Sequence, residues 1–104
     1  MAAGVIGRGL YIKGEIHGED DLIIEGTVEG TLTMAKNLTI ETDGRVKANI
    51  HTENVVIKGE MEGDLTAREK ITIHSGARLI GDMLAPRIEI EDGAYYKGNI
   101  NMNR

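Results

Sequence analysis

A column of small residues runs the length of this chain: Gly14, Gly30, Ala48, Gly63, Gly81 and Gly98. Its members recur every fifteen to eighteen residues. Two positions before each stands an apolar residue: Ile12, Val28, Val46, Met61, Leu79 and Tyr96. Two positions after stands another: Ile16, Leu32, Ile50, Leu65, Met83 and Ile100. Self-similarity at this period means that one short unit is repeated, and such units bury their apolar faces only by stacking. The chain is therefore expected to coil about six times, each coil covering the next.

The spacing of two inside each unit is the strand period, not the helix period. No segment sustains apolar residues at three-and-four spacing, so no sizeable helix is expected. Each coil reads as three short strands on the three sides of a triangular prism, an all-β parallel β-helix. Aligned columns divide the chain into coils 6–21, 22–37, 38–54, 55–70, 71–87 and 88–104, of 16 or 17 residues each. The first fits least well, with Arg8 where the second apolar residue of the opening pair should stand. The first side carries that pair, as in Leu22/Ile24 and Ile71/Ile73. The second carries the Val28 column; the third carries the Leu32 column and then Met34, Thr52, Ala67, Ala85 and Met102. The small column lies at the bend between the second and third sides. The first corner is short at Gly26 and Gly59 and longer at 42–44, 75–77 and 92–94, so short and long coils nearly alternate.

Composition agrees with a thin aliphatic stack. Gly is 14 and Pro 1 in 104 residues, and Phe and Trp are absent. That length suits one domain, taken as 1–104. The outward column Lys13, Glu29, Lys47, Glu62 alternates in sign, so in-register stacking sets opposite charges above one another.

A net charge of −5, with few aromatics, argues against a nucleic-acid surface. The absence of Cys removes disulfides and thiolate chemistry. No apolar stretch approaches a spanning helix, and the short apolar start lacks the features of a signal peptide. The expected location is the cytoplasm, with the inner face of the cell membrane as the alternative.

Several segments resemble bactofilins. Residues 93–102, with Gly93-Ala94, the aromatic Tyr95-Tyr96, Gly98 and the final pair Ile100 and Met102, look like the ending of that family's domain. The run 22–30 resembles its early I-x-G-x-V-x-G segment, and 55–64 resembles its middle one. The likeness covers nearly the whole chain. It implies a right-handed β-helix, the hand also preferred by parallel crossovers, that polymerises without nucleotide into non-polar filaments. It further implies a bacterial cytoskeletal scaffold with no catalytic role. The partners it implies are the chain itself and peptidoglycan-remodelling enzymes or other scaffolded proteins. Two departures stand out. Family members usually carry disordered tails, essentially absent from this sequence, so membrane attachment through such a tail is not carried over and any attachment is expected to be weak. The last coil has Tyr96 where the family usually has Phe.

Other β-helices are enzymes, but their chemistry is not evident here. Glu25, Glu41 and Glu91 share an outward column with Lys58 and His74, which reads as a solvated face rather than a calcium site. The hexapeptide period of acyltransferases is broken by the coil lengths. His17 and His51 lie two coils, roughly 10 Å, apart, too far to share a metal. Glu19-Asp20-Asp21 alternates its side chains between faces, as a corner does. Thr33 and Thr66 share a column with His17, His51 and Leu84, so no threonine ladder forms. No glycine loop precedes a helix to hold a nucleotide. No cofactor or metal is expected.

A stacked coil leaves apolar core and unpaired strand backbone at each end unless a cap covers them. The sixth coil carries Tyr95, Tyr96, Ile100 and Met102, and the first carries Ile6, Leu10, Tyr11 and Ile12. No cap follows the sixth coil in this sequence. These two sets are the expected polymer interfaces. The alternative is a non-polymerising module that docks a partner on its charged sides.

Overall fold

The structure is a computed structural model that describes residues 4–102. Thirteen strands form one sheet wound into a coil, and every strand pairing is parallel. In chain order these are β1 (Gly4–Ile6), β2 (Tyr11–Gly18), β3 (Leu22–Ile24), β4 (Thr27–Met34), β5 (Asn37–Ile40), β6 (Arg45–Ile57) and β7 (Glu60–Glu62). They continue as β8 (Leu65–Ile73), β9 (Arg78–Ile80), β10 (Met83–Ala85), β11 (Arg87–Ile90), β12 (Tyr95–Lys97) and β13 (Ile100–Met102). Longer strands such as β6 run through corners and serve all three sides in turn.

The register follows the sequence columns. On the first side Leu22 stacks on Leu38, Leu38 on Val55, Val55 on Ile71 and Ile71 on Ile88. On the second, Ile12 stacks on Val28 and the column continues to Leu79 and Tyr96. On the third, Leu32 stacks on Ile50 and Leu65 on Met83. The interior these columns enclose is aliphatic, and Ile24, Leu32, Leu38, Ile50, Ile57 and Leu79 are completely buried. Thr52 is the one polar residue among the described buried ones. Its hydroxyl donates to the Lys36 carbonyl at 2.6 Å, so burial leaves no donor unpaired.

The first coil departs from its expected boundaries. Gly4 stacks on Leu22 and Ile6 on Ile24, so the coil opens at Gly4 and not at Ile6. Arg8 is not in a core column. It lies in a corner between β1 and β2, where Leu10 N–H donates to the Gly7 carbonyl. The first coil thus has the long corner, and the long-short alternation extends back to the start of the described residues. A glycine at an apolar position hid this register from the sequence.

The small column is a contact between backbones. Gly30, Gly63, Gly81 and Gly98 all have φ between +124° and +135° or just above, at +138° for Gly81. Left-sided φ of this kind is strained for residues with a side chain. A Cβ at any of these four would also run into the carbonyl oxygen of the column member one coil earlier. Gly14 shares the φ, at +136°, but a Cβ there meets nothing within 4 Å. Ala48 is accommodated because the backbone there keeps a negative φ within the unbroken strand β6. The two effects therefore separate. Gly81→Ala should lose about 2–4 kcal/mol, from backbone strain plus collision, whereas Gly14→Ala should lose only about 1 kcal/mol from strain. Chemical denaturation followed by circular dichroism checks this, and equal losses would refute the collision account.

Candidate end-to-end interface

The sixth coil repeats the core pattern of the fifth, but its side chains lose their cover. Ile73, Leu79 and Ala85 are fully buried in the fifth coil. Their successors Ile90, Tyr96 and Met102 are 37%, 45% and 61% exposed. Ile88, Ala94 and Ile100 are partly buried against the same core. Strands β11, β12 and β13 each pair on one side only among the described residues, with β8, β9 and β10. The end therefore presents an apolar centre ringed by free strand backbone.

The first coil presents a different face. Ile6 is only 6% exposed, and Ile12 and Ile16 are partly buried. Leu10 is 53% exposed. Leu10 occupies a second small-residue column, at the first corner, whose later members are Gly26, Gly44, Gly59, Ala77 and Ala94. A Cβ at Gly26 would lie 2.6 Å from the Leu10 carbonyl oxygen. A long side chain fits that column at Leu10, in the first described coil, and it stands clear of the stack.

The expected interface residues thus fall into groups. Tyr96, Ile100 and Met102 lie on the end of the core, together with Ile90, which sequence reasoning missed although it shares a column with Ile73. Ile6 and Ile12 belong to the core of the first coil, and Leu10 projects from its corner. Tyr11 and Tyr95 are placed differently. They are the two ends of one outward column on the second side, running through Thr27, Arg45, Glu60 and Arg78. They reach the end faces only at the rim.

That second side is held by charge. Arg45 meets Glu60 at 3.1 Å, Glu60 meets Arg78 at 4.0 Å, and Lys47 meets Glu62 at 3.9 Å. The Arg78 guanidinium lies 5.2 Å from the Tyr95 ring centroid, a cation–π contact. Glu29 is not paired with Lys13 or Lys47 among the described ion pairs; it lies near the Tyr11 hydroxyl and holds its pKa up. On the first side Lys58 meets Glu41 at 3.7 Å and His74 meets Glu91 at 3.2 Å. The acidic column thus holds one vertical ion pair, Lys58–Glu41, and a His74–Glu91 contact. Among the described residues no group of three or more His, Asp or Glu is arranged to hold a metal ion. No helix among them is long and apolar enough to cross a membrane.

The sequence model of one family, bactofilin, described as polymer-forming cytoskeletal, matches residues 4–101. The chain belongs to the bactofilin family. Bactofilin BacO of Myxococcus xanthus is 45% identical over 99% of this chain and 82% of its own length. Bactofilin BacN of the same organism is 54% identical over 96% of this chain and 88% of its own. The fold superposes on the Thermus thermophilus bactofilin, solved as double helical filaments by cryo-electron microscopy, with a TM-score of 0.92. That likeness covers 96% of this chain and 99% of the other at 28% identity.

The Tyr11–Glu29 contact has a measurable sign. The hydrogen bond to Glu29 favours the neutral phenol and raises the Tyr11 pKa above its ordinary value, with desolvation and the Glu29 charge acting the same way. Its contribution to stability is present below the ordinary tyrosine range and is lost as pH rises through the raised value. Ultraviolet titration should show one late tyrosinate step that moves to lower pH in Glu29→Gln and disappears in Tyr11→Phe. A Glu29→Gln curve identical to the parent's would remove the contact.

Proposed function

We propose that this bactofilin polymerises through the two ends of its coil, without nucleotide, into a non-polar filament that scaffolds other proteins. The observation that carries this reading is the continuation of the core into an uncovered sixth coil. Ile90, Tyr96, Ile100 and Met102 occupy columns whose members in the second to fifth coils are buried. Another coil face would restore that burial, at roughly 1.5–3 kcal/mol for each large side chain. Several together reach the order of the ~4–15 kcal/mol that association costs.

The two ends differ in chemistry, which favours like meeting like. The sixth-coil face is broad and apolar, whereas the first-coil face has Gly4 and Gly18 at core positions and Leu10 at its corner. Pairing each end with a copy of itself makes two isologous contacts, and alternating them builds an open filament without polarity. A polymer of this kind needs no catalytic group, and the ion-paired sides serve as its scaffold surface. Peptidoglycan-remodelling enzymes are the class of partner this reading assigns to those sides, at the inner face of the cell envelope.

Ile100→Arg and Tyr96→Arg each place a charge at the centre of the sixth-coil face. Either variant should keep the parent's circular dichroism spectrum and remain a short oligomer. The parent should form filaments in nucleotide-free buffer under negative-stain electron microscopy. Filaments persisting in both variants would sink the assignment.

A further inference from the structure

We infer that the second side of the coil is a binding site for an acidic segment of a partner protein, held as a polyproline II helix along the stack axis. The inference takes the existence of such a partner from the scaffold reading and uses no feature of the end-to-end contact.

Charge singles out this side. Its two outward columns carry five cations, Lys13, Arg45, Lys47, Arg78 and Lys97, against three carboxylates, Glu29, Glu60 and Glu62. The whole chain has a net charge of −5. On the third side Glu15, Asp64 and Asp82 are exposed, with no Lys or Arg among the described residues there. On the first side Asp21, Glu25, Glu41, Glu89 and Glu91 outnumber Lys58, Lys70 and Arg87. The second side is thus a positive face on an acidic protein, and it draws in anionic partners over a Debye length of about 8–10 Å.

The charges on this face are periodic. Lys13 stands on the first coil, Arg45 and Lys47 on the third, and Arg78 on the fifth. Glu29 stands on the second, and Glu60 and Glu62 on the fourth. Sign therefore alternates over the first five coils with a period of two coils, ~9.6 Å. Between the two columns runs a trough along the stack axis, walled by Arg45, Lys47, Glu60, Glu62, Arg78 and Ile80. Its floor is strand backbone at Val46 and Met61, whose side chains are buried. Ile80 and, one coil on, the Tyr95 ring add apolar surface beside Arg78.

The period selects the conformation of the occupant. A polyproline II chain has three residues per turn at ~3.1 Å each, so positions i and i+3 share one edge about 9.3 Å apart. A β-strand returns to a face every ~6.6 Å, which falls between one coil and two. An α-helix returns after seven residues, ~10.5 Å, and drifts off the charges by about 0.9 Å at each repeat. A polyproline II segment with Asp or Glu at i, i+3 and i+6 sets a carboxylate against the first, third and fifth coils. Its intervening residues leave Glu29, Glu60 and Glu62 without a like charge opposite. Prolyl rings on its flanks pack on Ile80 and Tyr95, as such segments pack on aromatic rings elsewhere.

Uniform polyanions fit this face less well. A nucleic-acid backbone or an anionic bilayer also presents negative charge to the carboxylates of the second and fourth coils, and like charges held opposite one another are unfavourable. Glu60 is the internal competitor, 3.1 Å from Arg45 and 4.0 Å from Arg78. These pairs are exposed and weak, so an incoming carboxylate displaces Glu60 readily.

The test is fluorescence anisotropy with a labelled peptide of four Glu-Pro-Pro repeats, titrated with the full chain at low salt. The control peptide has the same composition in blocks, four glutamates followed by eight prolines. The repeat should bind several-fold more tightly than the block and weaken as salt rises. Arg45→Gln and Arg78→Gln should each weaken it about 2–5-fold, and Glu60→Gln should tighten it by a similar factor. All three variants should keep the parent's circular dichroism spectrum and its filaments, because they lie in the third to fifth coils. Equal binding of the two peptides, or an affinity unmoved by both arginine variants, would overturn the site. Phosphatidylglycerol vesicles that bind the parent and are released by the same variants would also overturn it, by giving the side to a lipid surface. The site lies within one protomer, so Tyr96→Arg should bind the peptide as the parent does. Filaments without peptide binding would overturn the site and leave the end-to-end reading standing. Peptide binding without filaments would support the site and overturn the end-to-end reading.

Discussion

Everything in this fold depends on one coil lying flat on the next with its backbone in register. The tightest expression of that contact is the glycine column, where Gly30, Gly63, Gly81 and Gly98 each sit directly against the carbonyl of the member before. A side chain at Gly30, Gly63, Gly81 or Gly98 would run into that carbonyl and push the coils apart, whereas Ala48 is accommodated with a negative φ. Because the ladder is held at all three sides, each apolar residue meets its counterpart from the coils above and below. A thin core of Ile, Leu, Val, Met and Ala is then fully buried without any Phe or Trp.

The same repetition makes an end of the stack a template. The sixth coil leaves apolar positions and strand backbone that a further coil face could cover. The family is described as polymer-forming, and the exposed sixth coil is the feature of this fold on which the end-to-end proposal rests. The sides carry the differences between coils. The second side is a network of ion pairs between vertical neighbours, exposed and individually weak, roughly 0.2–1 kcal/mol each. The first side sets charge at its edges and carries Ile23, Thr39, Val56, Thr72 and then Glu89 along its centre.

Much of this was legible from residue spacing. The Val28, Leu32 and Leu22 columns, aligned on the glycines alone, are the columns of the structure. The coil lengths and the two kinds of corner also follow from the alignment. The first coil misled because Gly4 holds the opening core position without an apolar side chain, so Ile6, which stacks on Ile24, was aligned two residues out of register with Leu22. Tyr11 and Tyr95 sit at the rim of the end faces and not at their centres. An aromatic in a terminal coil looks like an end residue, but its parity along the strand sends it to the outside. Ile90 was overlooked because its column is buried everywhere else.

The sequence by itself determined the parallel coil, its register and the identity of the core, because period-two spacing and a recurring glycine leave few other ways to bury these residues. Only the tertiary structure decided which terminal residues are uncovered. Exposure depends on whether a neighbouring coil lies above a position, and local spacing is the same in the fifth coil as in the sixth. It also decided which charges meet, since Glu29 turns to the Tyr11 hydroxyl and Glu60 is shared between Arg45 and Arg78. Side-chain reach across a 4.8 Å step allows several such pairings, and the surrounding packing selects among them.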